Sequence, residues 1–203
     1  QMTADNVVAS MSGCAGQRCM AASVMVGVDK IQHIIDRMVE EARKIVPGEN
    51  LGSVISKEAK DRIEGYITEA EQQGAKILVD GRGATVPGKE GGFYVGPTII
   101  GHVKPDMKVA KEEIFGPVLS VVRVKTYEEA IELVNNHPFG NGASIYTQDG
   151  DAARHFTTNV KIGMVGVNVP IPVPMAFHSF GGWKQSLFGD KAMHGMEGIN
   201  FYT

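Results

Sequence analysis

One short segment of the sequence combines a thiol, a cation and a glycine at a spacing that nucleophilic catalysis could use. Cys19 directly follows Arg18, and Gly16 stands three residues before the thiol. A cysteine attacks as its thiolate, so a catalytic cysteine needs a nearby cation or an array of donors that lowers its pKa. Arg18 could supply that charge, and the glycine would let the backbone approach a substrate closely. On these residues alone, a lone cysteine near an apolar strand is more typical of core packing.

Cys14 is the second thiol, and it lies five residues before Cys19 without a flanking cation. We interpret it as a structural residue, or as a bystander that could oxidise onto Cys19. Two cysteines cannot build a disulfide framework, and their scarcity is typical of a reducing compartment. The histidines show no metal-ligand spacing along the chain, so the sequence predicts no zinc site.

Strands and helices alternate around these residues. The hydrophobic spacing predicts strands over 22–28, 76–80, 118–124, 143–147 and 163–169, and helices over 31–46, 56–74, 126–136 and 151–158. The strand over 76–80 is expected to be short and buried. We expect Asp29, with Gln32 three residues later, to cap the first helix, and Ser56 to begin the second. Such alternation predicts crossover connections and a mostly parallel sheet flanked by helices, which places the chain in the α/β class.

Three segments are predicted to lack regular structure. Residues 81–96 are rich in glycine and are expected to form turns and a loop. Residues 167–174 carry prolines at every second position from 170 onward, and proline cannot supply regular ladder donors. The glycine-spaced tail over 180–198 is expected to be a loop that lies over a site.

The composition excludes several classes of function. The chain is 43% hydrophobic and 21% charged, with a formal net charge of -3 and its basic residues spread along the sequence. Nothing indicates a polyanionic partner, so we expect no nucleic acid. No apolar run approaches the roughly 18 to 20 residues that span a bilayer, and no secretory signal is visible. We expect a bacterial cytoplasmic protein, or one of the mitochondrial matrix if the source is eukaryotic.

Four segments resemble signatures of the aldehyde dehydrogenase family. Gly16-Gln17-Arg18-Cys19 is similar to that family's active-site signature, in which Gly-Gln and one further residue precede the nucleophilic cysteine. The other three resemble its second signature, its late strand and its near-terminal loop, and they cover residues 111–118, 163–168 and 179–186. Because the four occur in the family's order and reach both ends of the chain, the sequence is identified as a member.

Departures from the general family pattern resemble one branch, the coenzyme-A-dependent enzymes that oxidise methylmalonate semialdehyde. Arg18 precedes the nucleophile, Ser179 replaces the usual proline, and residues 187–190 replace the usual glycine-spaced ending. The proline-spaced run over 167–174 is also distinctive of this branch. The branch belongs to valine and inositol catabolism.

The resemblance implies a role for each site residue. Cys19 would be the nucleophile, and Arg18 and Phe180 would bind the substrate, with Arg18 recognising its carboxylate. Glu113 and Phe115 would bind NAD, the first at the nicotinamide ribose and the second near the nicotinamide. Coenzyme A would take the acyl group, with loss of carbon dioxide, to give propionyl-CoA or acetyl-CoA. Solvated or packing roles remain the alternatives, and core packing is an equal contender for Phe180.

The resemblance also implies a three-layer catalytic domain over residues 1–203. The family binds NAD mainly through a separate domain before the nucleophile, and a C-terminal strand builds its dimers or tetramers. We expect both to lie outside this chain, which would then be a fragment that cannot turn over substrate alone. Two other functions stay open: a hydrolytic aldehyde dehydrogenase that needs no coenzyme A, and a non-catalytic scaffold or binding domain.

Overall fold

The computed structural model describes residues 1–170 and 172–203. Ile171, which belongs to the proline-spaced run, lies outside the described residues. The chain divides into two compact units, Gln1–Thr126 and Tyr127–Thr203. In the described ranges, no helix is both long enough and apolar enough to cross a membrane.

The first unit is built on a four-stranded sheet. Its strands are β1 (Val24–Val28), β2 (Lys76–Val79), β3 (Thr98–Val103) and β4 (Val118–Val124). They lie in the order β1-β4-β3-β2, with β1, β4 and β3 parallel and β2 antiparallel to β3. The helices of this unit are α1 (Met2–Ser12), α2 (Gln32–Ala42), α3 (Lys57–Gln72) and α4 (Lys108–Lys111), and a 3-10 turn covers Gly13–Gly16.

Both faces of this sheet are covered. Consecutive side chains of a strand point to opposite faces, so a run of buried residues means that neither face is open to solvent. The first five residues of β4 are buried, as are the first four of β3. α1 packs on α2, and α3 packs on α4, β2 and β3. The predicted α/β class, with a mostly parallel sheet flanked by helices, is therefore confirmed.

α3 follows the helical pattern expected from the sequence. The hydroxyl of Ser56 accepts a hydrogen bond from the Ala59 N–H at 3.2 Å, which satisfies one of the unpaired donors of the first turn. The apolar positions Ile63, Ile67 and Ala70 recur at three- and four-residue spacing and are buried. This face fixes the helix against the sheet and leaves its polar face for other contacts.

The second unit contains α5 (Tyr127–Asn136), β5 (Phe139–Gly140), β6 (Gly142–Ile145), α6 (Gly150–Asn159), β7 (Met164–Val167), β8 (Trp183–Lys184) and α7 (Met196–Tyr202). β6 and β7 are parallel and are connected through α6, whereas β5 and β8 are antiparallel. Lys184 holds the end of α5, because its Nζ donates to the Val134 carbonyl at 3.0 Å.

Several expectations about individual elements are wrong. Asp29 does not cap the first helix: it adopts a left-handed φ of 55°, and Ile31 is the N-cap without a side-chain bond. β2 is an antiparallel edge strand with partly exposed residues, not a buried strand. The tail contains β8 and the start of α7, so it is not a loop throughout. The sequence reading did not predict α1 or β3.

The cap of α3 gives the first testable prediction. Ser56→Ala should lower the free energy of unfolding by about 1 kcal/mol, because the N-cap acceptor is lost. Ser53 is exposed and lies three residues earlier, so Ser53→Ala serves as the control and should change stability by less than about 0.5 kcal/mol. Denaturant titration of both variants makes the comparison. Equal losses would mean that Ser56 does not act as a cap.

Candidate active site

Cys19 lies in the loop that connects α1 to β1. The base of this loop is closed by α1, because the Ala22 N–H donates to the Ser10 hydroxyl at 3.0 Å. Its first part is a tight turn in which the Gln17 N–H donates to the Cys14 carbonyl at 3.1 Å. Both thiols, those of Cys14 and Cys19, are exposed.

The loop carries strained backbone. Cys14 and Ala15 adopt left-handed φ angles of 52° and 53°. A left-handed conformation costs a non-glycine residue roughly 1–2 kcal/mol, so surrounding contacts must hold it. One of these contacts comes from Gln17, whose Oε1 accepts a hydrogen bond from the Ile55 N–H at 2.9 Å, just before α3.

A second segment, residues 112–117, leads into β4 and carries the two residues expected to bind NAD. Its side chains alternate: Ile114 is 2% exposed, whereas Glu113 and Phe115 on either side of it are exposed. Phe115 is 40% exposed and has a left-handed φ of 58°. The Glu113 carboxylate and the Phe115 ring are therefore exposed on either side of the buried Ile114 side chain.

Two residues of α3 hold this segment. The Tyr66 hydroxyl donates to the Glu112 carboxylate at 2.5 Å, and the Arg62 guanidinium donates to the Ile114 carbonyl. The Glu112 carboxylate raises the pKa of Tyr66 above its ordinary value, and burial adds to this shift. The hydroxyl therefore remains a donor across the neutral pH range. Sequence reasoning missed both residues, because their partners lie 46 and 52 positions away and no local spacing indicates contacts of that range.

The two segments touch at glycines. A Cβ on Gly16 would lie 2.0 Å from the Gly116 carbonyl oxygen, so only glycine permits this contact. The sheet explains why they meet: β1 and β4 are parallel neighbours with Val24 paired to Ser120. The segments that precede two such strands enter at the same end of the sheet. The first unit thus brings the Cys19 loop against the segment of Glu113 and Phe115.

Arg18 is half-buried, and its guanidinium folds back over Gly13, where a Cβ would lie 1.5 Å from Nη2. Its Nε is buried and has no hydrogen-bond partner among the described residues. None of the ion pairs found in residues 1–170 and 172–203 includes Arg18. A buried donor without a partner is costly, so a water molecule or a ligand is expected to meet it.

Phe180 belongs to the second unit. Its ring is half-buried and stacks on His194, with ring centroids 4.1 Å apart and an angle of 7° between the planes.

Within the described part of the chain, no group of three or more His, Cys, Asp or Glu residues could hold a metal ion.

This geometry can be compared with known proteins. The model of the aldehyde dehydrogenase family matches residues 1–203, and the chain belongs to that family. A malonate-semialdehyde dehydrogenase of Pseudomonas aeruginosa is 47% identical over 98% of this chain. A second relative of that name, from Bacillus thuringiensis, is 46% identical over 100% of it. The family identification from four motifs is confirmed.

Solved structures agree with this membership. The chain is similar to a methylmalonate-semialdehyde dehydrogenase from Oceanimonas doudoroffii, with a TM-score of 0.96, 46% identity and 100% coverage. It is also similar to a candidate enzyme of that name from Sinorhizobium meliloti 1021 in complex with NAD, with a TM-score of 0.96 and 48% identity. The chain spans 42% and 43% of the length of the Pseudomonas and Bacillus relatives, and 43% of each of these two structures.

The contact at Gly16 gives a prediction with a matched control. Gly16 and Gly83 share a φ of +69°, but a Cβ at Gly83 would meet nothing within 4 Å. Gly83→Ala should therefore lower the free energy of unfolding only by the strain of a left-handed backbone, about 1–2 kcal/mol. Gly16→Ala should cost more than about 3 kcal/mol, because the clash displaces backbone.

The same displacement should change the rate at which iodoacetamide alkylates Cys19 in Gly16→Ala and leave it unchanged in Gly83→Ala. Trypsin cleaves after Arg18 and so separates Cys14 and Cys19 onto different peptides, which allows mass spectrometry to follow each thiol. Equal losses of stability in the two variants would show that the contact between the segments is unimportant.

Proposed function

We propose that this chain is the thiol-bearing part of an enzyme that oxidises methylmalonate or malonate semialdehyde with NAD and coenzyme A. One observation carries the proposal: an exposed Cys19 thiol follows an arginine that is not ion-paired, on a loop packed against the segment of Glu113 and Phe115. The names of the relatives that are 46% and 47% identical support the choice of substrate.

The chemistry begins at Cys19. Its thiolate attacks the aldehyde carbon and forms a thiohemiacetal, whose oxyanion the Cys19 backbone N–H helps to stabilise. Glu113 and Phe115 would hold NAD, which would supply the hydride acceptor that oxidation of the thiohemiacetal to a thioester on Cys19 requires. The thiol of coenzyme A then attacks the thioester carbonyl and restores the Cys19 thiol. The substrate carboxylate leaves as carbon dioxide, which hydration converts to bicarbonate, and the α-carbon takes up a proton in its place, so the product is propionyl-CoA or acetyl-CoA.

Two exposed groups fit NAD. The Glu113 carboxylate can accept hydrogen bonds from both ribose hydroxyls, and the Phe115 ring can pack near the nicotinamide. The backbone of both residues is held in place by Ile114 and α3, so little conformational freedom would be lost on binding. The rest of the nucleotide would be bound by a domain outside residues 1–203.

Arg18 and Phe180 are proposed to bind the substrate. A guanidinium without an ion-pair partner can bind a carboxylate through two parallel hydrogen bonds. The assignment of Phe180 rests on its place in the fourth motif alone. We further propose that the complete enzyme is a homodimer or homotetramer of the bacterial cytoplasm or the mitochondrial matrix, without a nucleic-acid or membrane partner, in valine or inositol catabolism.

Product identification tests the function. The full-length enzyme that carries this chain is incubated with methylmalonate semialdehyde and NAD, with and without coenzyme A, and the product is identified by mass. We expect propionyl-CoA, and NADH formation that depends on coenzyme A. A free acid formed equally well without coenzyme A would contradict the acylating reaction and favour the hydrolytic alternative.

The two cysteines serve as matched variants in the same assay. Cys19→Ser should abolish turnover, because a serine hydroxyl is a far weaker nucleophile than a thiolate at neutral pH, whereas Cys14→Ser should retain it. Alkylation at neutral pH separates the enzyme from a scaffold. A Cys19 thiol no more reactive than a free model cysteine, together with no turnover, would favour the scaffold.

The proposed role of Arg18 predicts a loss of affinity that depends on whether the substrate carries a carboxylate. Arg18→Ala should raise KM for methylmalonate semialdehyde about tenfold to a hundredfold, because a hydrogen-bonded charge pair is worth about 1.5–3 kcal/mol. Propionaldehyde has no carboxylate, so its KM should stay unchanged. Arg18→Lys keeps the charge without the planar fork and should give an intermediate KM. An equal rise for both aldehydes would refute carboxylate recognition by Arg18.

A further inference from the structure

Hydrogen bonds from α3 hold residues 112–115 at two points. Glu112 and Ile114 are held by hydrogen bonds from Tyr66 and Arg62 of α3, at the carboxylate and at the carbonyl respectively. The backbone is therefore fixed on both sides of Glu113. Glu112 is fixed further by its own N–H, which donates to the Lys108 carbonyl at 2.9 Å.

Tyr66 is itself well placed by its neighbours. Lys108 Nζ lies 5.5 Å from the centroid of the Tyr66 ring and pairs with the Glu69 carboxylate at 3.3 Å. A cation over the ring and a carboxylate on the hydroxyl leave the side chain few other orientations. The neighbouring carboxylate raises the pKa of Tyr66 above its ordinary value, which already lies well above neutral, so the hydroxyl stays protonated and can donate to Glu112.

This bond separates the roles of two adjacent carboxylates. Glu112 and Glu113 are neighbours in the sequence and both are exposed. Tyr66 binds Glu112 and leaves Glu113 available for a ligand. Without the Tyr66 hydroxyl, the Glu112 carboxylate could turn toward the ligand donors that Glu113 would bind. The backbone between the two residues would also lose one of the contacts that fix it.

We propose that Tyr66 is a positioning residue for nucleotide binding, which acts through Glu112 to fix the backbone and the carboxylate of Glu113. The inference rests on the proposed role of Glu113 as the ligand of the nicotinamide ribose.

The test measures the dissociation constant for NAD, kcat and Tm in the full-length enzyme. Tyr66→Phe removes the hydroxyl and retains the ring that Lys108 contacts. We expect the dissociation constant to rise about threefold to tenfold, which is part of the effect of a hydrogen bond to a charged acceptor, with kcat unchanged. Tyr127→Phe is the matched control: its hydroxyl is bonded to the Ala152 carbonyl at 3.2 Å in the second unit, and its loss should leave NAD binding unchanged.

A double variant separates positioning from stability. If Tyr66 acts through Glu113, Tyr66→Phe should add nothing to the weaker binding of Glu113→Gln. An equal loss in both backgrounds, or a lower Tm with unchanged NAD binding, would overturn the positioning role and leave the proposed function standing. Unchanged NAD binding in Glu113→Gln itself would overturn both the ribose role of Glu113 and the positioning role.

Discussion

The site depends on the direct contact of two backbone segments at Gly16 and Gly116. A Cβ on Gly16 would lie 2.0 Å from the Gly116 carbonyl oxygen, so only glycine fits there, and a Cβ on Gly116 would lie 2.6 Å from Cδ1 of the buried Ile63, which would have to move. The Cys19 loop, the segment before β4 and α3 therefore stack with nothing between them. Packed interiors transmit displacement rather than absorb it. A shift of α3 would consequently move the proposed nucleotide ligands and the thiol together.

Strain at the thiol loop has a compensating set of contacts. Three non-glycine residues of the two segments adopt left-handed φ angles between 52° and 58°, namely Cys14, Ala15 and Phe115. Such conformations persist only where the surroundings over-determine them, and they cluster at functional sites. In the loop of Cys14 and Ala15, these surroundings include the bond from Ala22 to Ser10 and the bond from Ile55 to Gln17. α1 and the entrance to α3 thus stabilise a loop shape that its own sequence disfavours.

The sequence could predict what depends on local spacing. α3 was recognisable from Ser56 and from the apolar residues that follow at helical spacing, and β4 from its apolar run. β3 was missed because Gly101 and His102 interrupt its apolar residues, and α1 because polar residues begin it. The bonds from α3 to Glu112 and Ile114 join residues that lie 46 and 52 positions apart. No spacing rule covers contacts of that range, so the motifs indicated the candidate site residues without the residues that hold them in place.

Parallel strand pairing is what makes such distant residues neighbours. Cys19 precedes β1 and Glu113 precedes β4, and the pairing of Val24 with Ser120 places both strand starts at one end of the sheet. Ligands in α/β proteins more often meet the carboxyl ends of strands, where loops lead into helices. At the opposite end, each loop leads into a buried strand, so its last residues are held by the sheet hydrogen bonds. The proposed nucleophile and the proposed nucleotide-binding residues gain a rigid base at this end, and the alternation around Ile114 leaves the side chains of Glu113 and Phe115 exposed.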